Sequence, residues 1–68
     1  MKVTLNGEAA ELEDGATVVS ALGALDLPPD ARGIAVAVDA EVVPRGEWGS
    51  HALADGADVE VLRAIQGG

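Results

Sequence analysis

The sequence predicts an α+β domain, a mixed sheet of four to five strands with one main helix laid across one face. Three observations carry that expectation. Residues 1–13 alternate apolar and polar side chains on either side of Asn6-Gly7, as a hairpin does. Residues 17–26 switch to a helical period, and residues 34–43 and 59–65 return to the period of a strand. The 68 residues suffice for one small domain, expected to occupy residues 1–65, with 66–68 as a flexible Gly-Gly tail.

Taken in order, Met1, Val3 and Leu5 fall on one side of a pleat and Lys2 and Thr4 on the other, so the first strand starts at the first residue. Asn6-Gly7 tolerates positive φ at both central positions of a type I′ turn, after which Ala10 and Leu12 alternate with Glu11 and Glu13. Asp14-Gly15 closes this hairpin. Thr17 is the expected N-cap of a helix whose apolar stripe is Val18, Leu22 and Leu25, spaced i, i+4 and i+7. The helix is expected to stop by Asp26, because Pro28 and Pro29 lack amide donors and Pro28 pushes Leu27 toward extended geometry. Gly33 introduces Ile34-Ala35-Val36-Ala37-Val38, apolar on both sides of the pleat and therefore a candidate for a central strand, expected to be the most buried one.

Asp39-Ala40 then turns the chain into Glu41-Val42-Val43, an edge strand stopped by Pro44. Residues 45–58 hold three glycines, Trp48 and Asp55-Gly56, and read as an irregular connection with one helical turn near Glu47 to Ser50. The last strand runs from Val59 to Ile65, with Val59, Val61 and Ile65 on one side and Glu60 and Leu62 on the other. Placing the first and last strands side by side in the middle of the sheet uses every apolar stripe. That is the β-grasp, or ubiquitin-like, arrangement.

Composition removes several function classes. Twelve acidic residues against four basic ones give a net charge of -8, a field that repels nucleic-acid phosphate and anionic lipid alike. No apolar run approaches the roughly 20 residues of a spanning helix, and no secretory signal pattern opens the chain. With no cysteine either, the expected compartment is the cytoplasm. Phe and Tyr are absent and Trp48 is the one aromatic residue, so the core must be built from Val, Leu, Ile and Ala. His51 alone makes no metal site.

No catalytic set is found. The glycines form neither of the phosphate-cradling motifs, Ser20 and Ser50 lack an elbow sequence, and no thiol is present. Glu11 and Glu13 share a strand face as solvated acids, while Asp55 and Asp58 flank a tight turn without calcium-loop spacing. The remaining feature is Gln66-Gly67-Gly68. Two glycines close a chain by chance about once in 200. Without side chains they make a thin tether able to enter a narrow channel, presenting the α-carboxylate of Gly68 at its tip. A carboxylate is inert to nucleophiles at neutral pH, so it needs conversion to an acyl-adenylate, and another protein must supply the ATP site. The exposed sheet face, with Leu62 and Val42, is the expected partner surface. Trp48 is read as a cap on the core and Arg45 as a loop brace, with contact to a partner as the alternative for both.

Asn6-Gly7, Asp14-Gly15-Ala16-Thr17-Val18, Ile34-Ala35-Val36-Ala37-Val38, the run from Val43-Pro44-Arg45-Gly46-Glu47-Trp48 to His51, Asp55-Gly56-Ala57-Asp58 and Gly67-Gly68 together carry a family likeness. Over essentially its whole length the sequence resembles the ThiS family of ubiquitin-like proteins, the sulfur carriers of thiazole formation in thiamine biosynthesis. The Pro-Arg-x-x-Trp element combined with Asp-Gly-x-x and a Gly-Gly end is the specific part, whereas the loop Leu27-Pro28-Pro29-Asp30 and the residue at Gln66 stand outside the pattern. The resemblance implies that the chain is not itself an enzyme. A ubiquitin-activating-like adenylyltransferase using ATP and Mg would adenylate Gly68, a sulfur donor such as a cysteine desulfurase would feed the thiocarboxylate, and thiazole synthase would receive the sulfur. The alternatives are the small subunit of molybdopterin synthase, a protein modifier joined to lysine, and a β-grasp interaction module with no reactive end.

Overall fold

The computed structural model describes residues 1–63. Strands β1 (Lys2–Leu5), β2 (Glu8–Glu11), β3 (Ile34–Val38), β4 (Glu41–Val43) and β5 (Asp58–Arg63) form one sheet in the order β2-β1-β5-β3-β4. β1 and β5 run parallel, and the other neighbouring pairs are antiparallel. Asn6 and Gly7 take φ of 50° and 84°, the two positive values that let a two-residue turn follow the twist of β1 and β2. Asp39 and Ala40, at 51° and 71°, make the same kind of turn between β3 and β4.

Helix α1 (Val18–Ala24) has only seven residues, too few to hold itself together in water, so its stability comes from neighbours. Val18, Ala21 and Leu22 are buried against Val3, Leu5, Val36 and Val59. The irregular connection supplies its start: the amides of Val18 and Val19 donate to the carbonyls of His51 and Trp48, both at 3.2 Å. Thr17 is the N-cap, and its amide donates to Ser20 Oγ at 2.9 Å. At the other end Asp26 adopts φ of 60°, while the amides of Asp26 and Leu27 bond to the carbonyls of Gly23 and Leu22. That is the glycine-type helix stop made by an aspartate, so the helix ends before Pro28 and Pro29 act.

Two expectations change. β3 is interior, between β5 and β4, but it is not covered on both sides: Ala35 is exposed. Only one sheet face carries a layer, so the alternation of Ile or Val with Ala places the large side chains inward and short ones on the open side. The helical turn of the connection is a 3₁₀ segment over Arg45–Glu47, two residues earlier than expected, because Pro44 already has the φ that starts such a turn. Ile65, Gln66, Gly67 and Gly68 lie outside the described residues. No helix among the described residues is long and apolar enough to cross a membrane.

Candidate functional site

The candidate site begins with the strand that leads to Gly68, and β5 is held from both sides. Toward β3 it pairs from Val38↔Val59 to Ile34↔Arg63. Toward β1, the amides of Thr4 and Asn6 donate to the carbonyls of Ala57 and Val59, both at 2.9 Å. At Asn6 the chain turns away into β2, yet the ladder goes on for one more step. The Val61 amide donates to Asn6 Oδ1 at 2.8 Å, a side-chain oxygen standing where a continuing strand would offer its backbone carbonyl. Asn6 therefore does two jobs, turning the chain and extending the support of β5. The start of β5 is fixed reciprocally: Asp39 Oδ1 accepts from the Asp58 amide at 3.0 Å, and the Asp58 carbonyl accepts from the Asp39 amide at 2.8 Å.

Val42 and Leu62 are both on the open sheet face, 73% and 57% exposed, and no other large hydrophobic residue among those described is as bare. They are not direct partners. Val42 lies opposite Ala37 and Leu62 opposite Ala35, with β3 between, so two strand spacings and a two-residue offset, about 12 Å in all, separate them. The alanines keep the space between them low, giving a shallow apolar strip with Glu60 beside Ala37 on β5. The two residues picked from sequence do belong to one surface. Ala35 and Ala37, assigned to the interior, turn out to be part of it.

Trp48 caps the core from within, and Arg45 braces a loop. Trp48 is 3% exposed and its Nε1 donates to the Val43 carbonyl at 3.0 Å. The Arg45 guanidinium lies 4.6 Å from the centre of the indole ring and donates through Nη2 to the Ala31 carbonyl at 2.6 Å and through Nη1 to the Asp30 carbonyl at 3.3 Å. One arginine thus ties the Pro-rich loop to the connection. Among the described residues no three His, Cys, Asp or Glu side chains are grouped to hold a metal ion. Glu11 and Asp14 each approach the Met1 ammonium at 3.6 Å, an exposed arrangement of small energetic weight rather than a catalytic pair. The residues Gln66, Gly67 and Gly68, on which the expected chemistry falls, lie beyond the described part of the chain.

A parallel central pair, the strand order β2-β1-β5-β3-β4 and one crossing helix define a ubiquitin-like β-grasp protein. Residues 3–68 match the family model of the ThiS family, and the chain belongs to that family. It is 32% identical over 68 residues to the sulfur carrier protein ThiS of Escherichia coli (strain K12), covering 100% of both. A thiazole synthase of Paramagnetospirillum magneticum contains a segment 35% identical to it over 68 residues, 20% of that longer protein. The crystal structure of a thiamine biosynthesis protein (ThiS) from Geobacter metallireducens matches with a TM-score of 0.78 at 32% identity, over 100% of both chains. A solution structure of a thiamine biosynthesis protein from the same organism matches at 0.70 and 28% identity, over 100% of this chain and 88% of that one.

Proposed function

We propose that this chain is a sulfur carrier of thiamine biosynthesis, and that its working group is the α-carboxylate of Gly68. The observation that carries this is the end-to-end likeness to a sulfur carrier, 100% of both chains, in a fold that supports the strand leading to Gly68 from both sides. A carboxylate oxygen of Gly68 attacks the α-phosphorus of ATP on a ubiquitin-activating-like adenylyltransferase, and pyrophosphate leaves. The terminal sulfur of a persulfide on a donor such as a cysteine desulfurase then attacks the acyl carbon and displaces AMP, and a thiol reductant cleaves the resulting acyl disulfide, releasing the donor thiol and leaving a thiocarboxylate; inorganic sulfide displaces AMP to the same product without a reductant. ATP and Mg belong to the activating partner in this scheme. Thiazole synthase receives the sulfur, a role supported by the thiazole synthase that contains a segment like this whole chain. The cytoplasm is the compartment the scheme implies.

Intact-mass spectrometry tests the function. Incubated with ATP, a sulfide source and the adenylating enzyme, the chain is expected to exchange one oxygen for sulfur. That gain is nearly the mass of one oxygen added to Met1, so it has to be located in the C-terminal peptide. No gain in the presence of an enzyme active on another carrier removes the proposal.

The partner face of this carrier is assigned to the strip carrying Val42 and Leu62. Val42→Ser with Leu62→Ser is expected to change stability by no more than about 0.5 kcal/mol, because both side chains are exposed. The KM of the adenylating enzyme for the carrier should rise about tenfold at unchanged kcat, the loss of about 1.4 kcal/mol of binding. An unchanged KM takes this strip out of the contact.

A further inference from the structure

On the helix side of the sheet, where β5 ends, a groove of about 640 Å³ opens between the end of β5, the start of β3 and the loop that follows α1. Its apolar wall includes Leu25, Leu27, Ile34 and Val61, which pack against the core yet remain only partly buried. Arg32 and Arg63, both exposed, also line it. The chain has four Lys and Arg in all. Arg45 is engaged with Trp48 and two loop carbonyls, and Lys2 lies across from Glu11 on a separate strand pair. Both remaining cations therefore stand at one groove of a protein whose net charge is -8. Asp26 and Asp30, in the same loop, are not among the lining residues.

The position matters as much as the charge. Arg63 is the last described residue of β5, and Gly68 lies five residue steps beyond it, a reach of at most about 17 Å. A protein that takes the Gly68 carboxylate into its own active site must come within that distance of the groove. We infer that the groove is the docking site for a segment of the adenylating partner that combines apolar side chains with carboxylates, its carboxylates meeting Arg32 and Arg63. This rests on the carrier function proposed above and adds to it a second contact on the opposite side of the sheet from Val42 and Leu62. The acidic remainder of the carrier repels an acidic segment everywhere except here, so the two arginines fix the register in which the partner closes over the strand end.

The test is Arg32→Glu with Arg63→Glu, assayed by calorimetric titration against the purified adenylating enzyme, with no turnover required. The Kd is expected to rise tenfold or more at low salt, the difference narrowing as salt is raised, because a screened charge contact is lost. Arg32→Lys with Arg63→Lys is expected to keep most of the affinity. In contrast, the penalty of the Val42 and Leu62 serine pair should not shrink with salt. If the glutamate pair loses its melting transition, each single reversal is titrated instead, with a rise of several fold expected. A Kd unchanged by charge reversal in a folded variant overturns the inference, as does a rise seen only with thiazole synthase. Wild-type carrier in the same samples, given ATP and sulfide, reports separately on the function: binding without a C-terminal mass gain counts against the carrier chemistry and leaves the groove standing.

Discussion

Adding one alanine after Gly68 is expected to abolish thiocarboxylate formation while leaving the folded domain as stable as before. The chemistry needs a carboxylate oxygen in line with the α-phosphorus of a nucleotide held by another protein. An extra residue moves that carboxylate by about 3.5 Å along the chain and places a methyl group where glycine had none. Misplacement by about 1 Å already costs about a hundredfold in such reactions, so the rate should fall by at least that factor. Deleting Gly68 shortens the reach by the same distance and is expected to do equal harm. The buried cluster runs from Val3 to Val59, so neither change should alter unfolding by more than about 0.5 kcal/mol. Mass spectrometry of the products, paired with thermal melts by circular dichroism, checks both halves. Undiminished sulfur loading of the extended chain would mean that Gly68 is not the reacting group, and a large drop in melting temperature would give the chain end a structural role instead.

How far the sequence foretold this molecule depended on whether the cause was local. Strands β1, β2 and β4, the Asn6-Gly7 turn and the stripe of Val18 and Leu22 are set by side-chain period and turn chemistry within a few residues, and all are where they were expected. Strand order beyond the β1·β5 pair is set by contacts between distant segments. An apolar five-residue run says that a strand is interior but not which of its sides is covered, and so Ala35 was assigned to the inside. The helix stop had a nearer cause than the prolines, a left-handed Asp26, which composition alone does not distinguish from an ordinary last-turn residue.

The same division holds for the site. The outward placement of Val42 and Leu62 was legible because each sits on the side of its strand opposite the large inward residues, and terminal glycines with a family likeness pointed to Gly68. The second role of Asn6 was not legible, since Asn-Gly already has a sufficient explanation as a turn and its partner Val61 is 55 residues away. Nor was the groove: its walls come from Asn6, from Leu25, Leu27, Pro28 and residues 31–34, and from Val61 and Arg63, and these meet only once β5 lies beside β3.

Trp48→Ala is expected to remove most of the stability of this domain. Truncating a buried tryptophan costs about 3–5 kcal/mol, and a domain of this length has only about 3–10 kcal/mol to lose. Three supports go at once. The ring leaves the buried cluster, the Val43 carbonyl loses its indole donor, and Arg45 loses the surface over which it reaches the Asp30 and Ala31 carbonyls. Trp48→Phe separates the first of these from the second. It keeps most of the apolar area but leaves the Val43 carbonyl without its partner, an expected loss of about 1–3 kcal/mol. Urea unfolding followed by circular dichroism is the measurement, because both variants lack the only tryptophan and with it the fluorescence signal. The phenylalanine variant also decides whether Trp48 touches a partner. A core cap predicts a lower urea midpoint with an unchanged KM for the adenylating enzyme, whereas a raised KM with an undisturbed midpoint would move Trp48 from the core to the interface.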